Sequence, residues 1–478
     1  MYSISQTLTF ILASNTVVCN SSLVMDDVVA LLNSNTPGSM YQSTIYVSQG
    51  ISVQSKSNSF SYCGATASGG VFTLSQTEMT DLDSIYQYCS GALGGVINCQ
   101  EVNLTIAKSS FLHNSGSIGG VLSLQQYSAG FFDGVTFNSN EGYASAGVMY
   151  ISTESYFTAT NCDFKYNTAN ETSTIQVLGS SSTNNITLNY CTFQNNSATM
   201  NSISLMYSNV VIEYSQFVDN HASQRSKNIF CGFSTMLVHD SLFQSSYVQN
   251  ATASVMNELT MGTYFFIIFD IVLTIDRCTF QNGLALQGGA IYISGQCSVF
   301  ITHSNFYDNY ARQYGGAIYG SGFNGLYVGQ NTVFSNNRAL ELGDDFYVLN
   351  TESALTIDQI QIYNPYAITS LYAEIVTLEI MNSVFQDMNL NSASSQGAAI
   401  QCSDCRKINI TGSTFKNMRS QLGGAIYISE TAINKLATDS YGKYVILNSN
   451  FTNCISKTGG ALYISNPQYL TINGTLFL

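Results

Sequence analysis

Two kinds of short alternating run follow one another along almost the whole chain. One reads Gly-Gly-small-apolar-Tyr-apolar, as in Gly288-Gly289-Ala290-Ile291-Tyr292-Ile293, and recurs from Gly315-Gly316, Gly423-Gly424 and Gly459-Gly460. Looser copies begin at Gly69, Gly94, Gly119, Ala146 and Gly343, and worn ones lie near Ile175, Ile203, Ile229 and Ile400. The second run has two apolar residues in alternation, then a Phe about seven on from the first. Leu273 and Ile275 lead to Phe280, Val299 and Ile301 to Phe306, Ile408 and Ile410 to Phe415. The same Phe recurs at Phe60, Phe111, Phe137, Phe164, Phe193, Phe217 and Phe243, and again at Phe334, Phe385, Phe451 and Phe477. Tyr86 and Ile362 fill the two double gaps. Asn stands three residues after Phe at Asn114, Asn140, Asn167, Asn196, Asn220, Asn309 and Asn337. About sixteen copies of a unit near 26 residues result.

Period-two alternation between Gly, Asn and Ser turns predicts strands. Ile291 and Ile293 point one way, Ala290 and Tyr292 the other. Neither run buries its apolar side alone, whereas stacked units bury a continuous column. The predicted fold is all-β, a right-handed parallel β-helix. Gly-Gly suits a corner where a Cβ would clash or φ is positive. The recurring Asn suits a stacked amide ladder in a turn, at a position that tolerates left-handed φ. A leucine-rich repeat has an overlapping period, but the glycine-led strand does not belong to it and helix-forming stretches are missing.

Composition changes the picture in one respect. Charged residues make up 9% of the 478, with 15 Lys+Arg against 29 Asp+Glu and net charge −14. A basic nucleic-acid-binding surface is excluded, and 45% hydrophobic content excludes global disorder. Before its apolar part the N-terminus carries no Lys or Arg, and Phe10 to Ala13 is too short for a signal-peptide core. Tyr264 to Ile275, split by Asp270, is too short to span a bilayer and reads as a buried strand or an insertion. Any membrane attachment would come from segments outside this chain. Nine Asn-x-Ser/Thr sequons (Asn20, Asn103, Asn170, Asn185, Asn195, Asn250, Asn409, Asn450, Asn473) permit glycosylation without arguing for it.

The twelve cysteines do not form a dense framework. Cys402 and Cys405 make one CxxC, without the second pair of a zinc site, and read as core thiols or a local disulfide. Cys162 and Cys191, two before Phe164 and Phe193, are expected as stacked neighbours, free or joined between coils.

The GGA[IL] and FxxN elements together resemble the repeats of chlamydial polymorphic outer membrane proteins. They are also similar to pectin-lyase-like β-helix repeats of ciliate and other protist surface proteins. That resemblance spans about residues 43 to 478 and implies an extracellular or cell-surface β-helix with adhesive or structural duties. It departs from the chlamydial pattern in having no β-barrel segment at its C-terminus.

Many parallel β-helices are polysaccharide lyases or hydrolases, so chemistry has to be weighed. Asp344-Asp345 superficially resembles the aspartate pair of polygalacturonase-like hydrolases, but it stands where other coils have Gly-Ala and reads as a variant corner. His113, His221, His239 and His303 occupy different repeat phases and are not expected to converge. Asp219 and Asp308 read as solvated turn carboxylates. No metal or cofactor is implied.

In the C-terminal half the outward strand position holds Tyr292, Tyr319, Tyr347, Gln401, Tyr427 and Tyr463, where earlier coils have Thr73, Asn98, Ser123, Tyr150 and Gln176. This predicts an aromatic stripe that binds a glycan or protein ligand, or else a ladder that only stabilises itself. Residues 1–42 are expected to be a cap or an incomplete first coil, with a short helix over Ser22 to Asn33 started by Ser22 and Asp26-Asp27. Residues 43–478 form the β-helix, which stops midway through a coil and reads as a fragment or an end packed on a partner. The function expected is a non-enzymatic, secreted or surface-displayed rod, the alternative a polysaccharide lyase or glycoside hydrolase.

Overall fold

The computed structural model describes residues 45–48, 52–179, 184–246, 260–349, 354–365, 368–390, 394–430 and 442–478, together with the backbone of five short strands ahead of them. The protein is an all-β parallel β-solenoid of about 15 turns with a period of about 26 residues. Among the described residues there is no helix, and so none long and apolar enough to cross a membrane. The chain forms two compact units, Met1–Met236 and Leu237–Leu478.

Each coil lays down three recurring strands, and several coils add a short fourth one, such as Tyr310–Tyr314. In unit 2, one coil contributes the glycine-led strand Ile291–Ser294, a second strand Cys297–Thr302, and the short Phe strand Asn305–Tyr307. The next repeats them at Ile318–Ser321, Gly325–Gly329 and Val333–Ser335. Pairing is parallel and in register, with Ile291 on Ile318, Val299 on Leu326 and Phe306 on Phe334. Unit 1 follows the same plan, and even its worn repeats hold register: Met149 pairs Ile175, which pairs Ile203, which pairs Ile229.

The core is a set of ladders of like residues. In unit 1, Phe111, Phe137, Phe164, Phe193 and Phe217 stack with centroids 4.6–5.2 Å apart. Tyr86 takes the rung between Phe60 and Phe111. Its phenol is fully buried near Asp81 without a hydrogen bond to it. Ser84 and Ser109 hydroxyls donate to that carboxylate at 2.6 and 2.7 Å, but burial outweighs them and pushes its pKa up. In unit 2, Ile362 continues the ladder between Phe334 and Phe385.

Burying a polar turn requires internal partners, and the asparagines supply them. Asn140 Nδ2 donates to the carbonyl of Phe111 at 3.0 Å and to Asn167 Oδ1 at 3.0 Å. Its own Oδ1 accepts from Asn114 N and Nδ2 at 3.0 and 3.1 Å. The left-handed backbone expected at these asparagines lies one residue earlier, at His113, Ser139, Tyr166, Asn195 and Asp219 in unit 1 and at Asp308 and Asn336 in unit 2 (φ 52–56°). That residue makes the corner and faces out, which releases the following Asn to turn inward.

The two glycines of the repeat serve different ends. Gly288 has φ +64°, and a Cβ on it would meet Ile291 O at 2.2 Å. A Cβ on Gly289 would sit 1.9 Å from Gly316 O on the next coil, so the second glycine is needed for backbone-to-backbone approach.

Two local expectations resolve. The apolar stretch from Tyr264 forms strands Phe265–Ile268 and Ile271–Asp276, parted by a corner at Phe269 (φ +66°). Strands Leu23–Asp26 and Val29–Leu31, paired with Ser52–Lys56 and Ser59–Ser61, stand where a helix was expected over Ser22 to Asn33. A helix of that length is marginal by itself, and pairing with the next coil prevails. Sequons Asn20 and Asn250 lie outside the described residues.

Candidate functional site

The glycine-led sheet of unit 2 stacks Tyr292, Tyr319, Tyr347 and Tyr372 on consecutive coils. Their centroids are 4.9, 5.6 and 4.9 Å apart and the rings are within 11° of parallel. Phe266 extends the row below Tyr292 at 5.0 Å, tilted by 37°. Gln401 interrupts it above Tyr372, after which Tyr427 and Tyr463 form a separate pair at 5.1 Å. Tyr372 and Phe266 escaped the sequence reading because their coils lack the Gly-Gly-Ala lead.

The stack is less open than an outward strand position implies. Tyr319, Tyr347 and Tyr372 are only 9, 8 and 8% exposed. Tyr314, Leu342 and Leu349 pack against them, the Tyr314 ring 4.3 Å from that of Tyr347. Tyr292, Tyr427 and Tyr463 are half-buried. Tyr372 Oη donates to Glu374 Oε2 at 3.0 Å. Burial pushes the phenols of Tyr292, Tyr319 and Tyr347 up and that of Tyr372 to about 12. A hydrogen bond to Glu341 raises Tyr314. The site is therefore a row of neutral hydrogen-bond donors beside two acids.

Asp344 and Asp345 are fully buried. Asp344 Oδ1 accepts from Ala339 N at 2.7 Å, and its Oδ2 accepts from the Ile368 and Thr369 amides. Asp345 Oδ1 accepts from Asn337 Nδ2 at 2.9 Å and its Oδ2 from Ser370 Oγ at 2.8 Å. Burial pushes the carboxyls up to about 8 and about 7. The pair closes an internal corner and reaches no surface where a polymer could lie.

Two of the four histidines each pair with an aspartate of one ion-pair cluster, without contacting one another. His239 Nδ1 lies 2.8 Å from Asp240 Oδ2, and His303 Nδ1 2.8 Å from Asp276 Oδ1. Arg277 joins the two acids, donating from Nε to Asp240 at 2.9 Å and from a terminal nitrogen to Asp276. Strand-end and corner positions are neighbours across coils, so a phase difference of one residue places side chains together. Hydrogen bonds from Arg277, then His239, hold Asp240 down at about 2. Burial raises Asp276, but hydrogen bonds from His303 and Thr302 with the Arg277 charge leave it lowered. Among the described residues no group of three or more His, Cys, Asp or Glu is arranged to hold a metal ion.

Cys402 and Cys405 are joined in a disulfide across the corner at Asp404. Cys162 and Cys191 are buried free thiols on adjacent coils, with Thr192 N donating to Cys162 O at 2.9 Å. Cys162 Sγ donates to Thr160 O at 3.3 Å and Cys191 Sγ to Ala159 O at 3.4 Å.

No protein-family model matches the chain and no curated protein matches it, so the chlamydial and protist resemblance stays at the level of the two motifs. Among solved structures, the chain is similar to one in the Vag8–C1 inhibitor complex, at 9% identity and TM-score 0.47, covering 98% of this chain and 99% of that one. It is also similar to the Streptococcus pneumoniae surface protein and adhesin PfbA, at 11% identity and TM-score 0.28, covering 88% and 91%. A third is the periplasmic alginate epimerase AlgG, at 9% identity and TM-score 0.20, covering 91% and 76%. At such scores these likenesses carry no functional argument.

Proposed function

We propose that this chain is a non-enzymatic β-solenoid of the extracellular space or cell surface, with an adhesive or structural role, that meets a protein ligand along the tyrosines of unit 2. The observation that carries the reading is the stack from Tyr292 to Tyr372. Rings stacked on both sides offer no free face to a sugar. What they offer is a rigid row of edges and phenol oxygens at coil spacing, amphipathic and already ordered, which suits a protein contact. The Cys402–Cys405 disulfide supports an oxidising compartment.

The test is adhesion of beads carrying the purified protein to immobilised extracellular matrix proteins. A variant with Tyr292, Tyr319, Tyr347 and Tyr372 all changed to Phe keeps the rings and removes the hydroxyls. It is expected to lose about tenfold or more in affinity, equivalent to about 1.4 kcal/mol; undiminished adhesion sinks the reading. New reducing ends or unsaturated product from pectate or alginate would overturn the non-enzymatic part and favour a lyase or hydrolase.

A further inference from the structure

Four cysteines of unit 1 fall as two stacked pairs. Cys63 and Cys89 stand three residues after Phe60 and Tyr86, the place that Asn114, Asn140 and Asn167 take in later coils. Cys162 and Cys191 stand two residues before Phe164 and Phe193, the place of Ser84, Ser109 and Ser215. In both pairs the members lie on adjacent coils and in register. Gly64 bridges Ser90, and Ser90 N donates to Cys63 O at 2.8 Å. Asp163 pairs Thr192, and Thr192 N donates to Cys162 O at 2.9 Å. All four side chains are at most 1% exposed.

A thiol is a poor substitute at either place. Asn114 Nδ2 donates to the Tyr86 carbonyl at 3.0 Å, whereas Cys89 Sγ reaches the matching Phe60 carbonyl at 3.7 Å. Ser215 Oγ donates to Glu213 O at 2.8 Å, whereas Cys191 Sγ lies 3.5 Å from the matching Asn189 O. S–H is the weaker donor, so these turns give up hydrogen bonding. What the pairs gain is proximity. Registered Cα atoms of adjacent coils stand about 4.8 Å apart, within the roughly 4.4–6.8 Å that a disulfide spans. The later thiol of each pair leans onto the earlier coil, Cys89 Sγ toward Phe60 O and Cys191 Sγ toward Ala159 O at 3.4 Å. Each of those carbonyls is three residues before the earlier cysteine. Elsewhere the register brings no second thiol. Cys99 lies between Leu74 and Leu124, Cys297 pairs Ile271, and Cys278 N donates to Ser304 Oγ on the next coil.

We propose that Cys63 with Cys89, and Cys162 with Cys191, are oxidation sites that close as inter-coil disulfides while unit 1 folds. Among the described residues the structure joins only Cys402 with Cys405 and shows the two pairs reduced. The oxidant is a low-molecular-weight disulfide such as glutathione disulfide. One cysteine thiolate attacks it and releases a glutathione thiolate. The neighbouring thiolate then attacks the protein sulfur of the mixed disulfide and releases the second glutathione. One S–S bond breaks and one forms, two electrons pass to glutathione, and the two cysteine protons end on the released thiols. Once the coils have closed, sulfurs at most 1% exposed are out of reach of oxidant and reductant alike. The staples therefore form during folding and resist reduction afterwards. Each ties together the two ends of one coil and so restricts the unfolded chain. The extracellular reading enters only in saying where the oxidant is met, and the experiment does not depend on it.

The experiment refolds the full chain from urea and dithiothreitol into a mixture of glutathione and glutathione disulfide. Remaining thiols are then blocked with N-ethylmaleimide in urea, and linked peptides are mapped by mass spectrometry. Where refolding yields are low, protein secreted into an oxidising bacterial periplasm is mapped in the same way. Peptides joining Cys63 to Cys89 and Cys162 to Cys191 are expected, with Cys99, Cys278 and Cys297 recovered as maleimide adducts. Dithiothreitol is expected to spare both links in the folded protein and to cleave them in urea. Cys191→Ser installs the residue that the next coil carries at this place, Ser215, and an unchanged far-ultraviolet dichroism spectrum checks that the fold persists. This variant is expected to leave Cys162 as a maleimide adduct and to keep the Cys63–Cys89 link. Its melting temperature is expected to fall by about 5 °C or more in oxidised protein, with little difference from the parent when both are refolded reduced. Each pair stands or falls on its own peptide. Recovery of its two cysteines as adducts, or linked to other cysteines, overturns the staple there. Links cleaved as fast in the folded protein as in urea overturn closure during folding.

Discussion

Asn337 Nδ2 donates to Asp345 Oδ1 at 2.9 Å, so a carboxyl from the glycine-led corner of the same coil ends the amide ladder that begins at Asn309. Unit 1 ends its own ladder the same way, with Asn220 Nδ2 donating to Asn228 Oδ1 at 2.8 Å. In both cases the terminator stands eight residues after the last ladder asparagine and takes the position that Ala290 occupies in the regular repeat. The difference is that one terminator ionises.

Stability of unit 2 is therefore expected to fall as pH rises. Asp344 and Asp345, pushed up to about 8 and about 7 from an unfolded value near 3.9, bind protons more tightly folded than unfolded. Their contribution is favourable below about pH 4 and is lost progressively through pH 7 to 8. Asp345→Asn keeps an acceptor for Asn337 and removes the charge. It is expected to stabilise by an amount on the order of a few kcal/mol at pH 8 and much less at pH 5, measured by urea unfolding at both values.

Mid-ladder asparagines are expected to be far less replaceable. Asn140→Ala removes two donated and two accepted hydrogen bonds in a fully buried turn and leaves the Phe111 carbonyl without that donor. A loss of roughly 3 kcal/mol or more is expected, against less than about 0.5 kcal/mol for Asn138→Ala, which lies half-buried two residues away. Denaturant midpoints of the two variants decide it.

The two glycine environments make a matched comparison. Gly289→Ala drives a Cβ into Gly316 O, whereas a Cβ on Gly325 meets nothing within 4 Å. The first is expected to lower the melting temperature severely or abolish folding, and the second to leave it nearly unchanged. Similar melting of the two variants would contradict the backbone-approach argument.

Acid should act on the His239–Asp240–Arg277–Asp276–His303 cluster in the opposite sense to Asp344 and Asp345. Asp240 is depressed to about 2, chiefly by Arg277. Its stabilising share is present above about pH 4 and is lost as pH falls through 2. Arg277→Gln is expected to return the Asp240 titration toward the ordinary carboxylate range, followed by its side-chain carboxyl resonance. An unmoved titration would mean that Arg277 is not the cause.

Much of this was legible in the chain because period-two alternation and stacked register constrain the same residues. Tyr86 and Ile362 could be assigned to Phe rungs from spacing alone, and the register places them there. Packing over the outside of the coils was not legible. Tyr314 and Leu342 come from the stretch before the next Gly-Gly, where length and composition vary from coil to coil, so nothing periodic announced that they pack on Tyr319 and Tyr347. The ion-pair cluster around Arg277 was missed for a related reason, since phase comparison treats a strand end and its corner as different places although Asp276 reaches His303 across one coil.

The buried amides also run in one direction. Each Asn from Asn114 to Asn196 donates from Nδ2 to the side-chain oxygen of the Asn on the coil that follows and to a Tyr or Phe carbonyl of the coil before, while its own Oδ1 accepts from the coil before. Their dipoles add head to tail, and a side chain that can only accept fits the last place but breaks the sequence anywhere else. Asp is thus admissible at 345 and damaging at 140 or 167, an asymmetry that gives an otherwise repetitive column a distinguishable top and bottom.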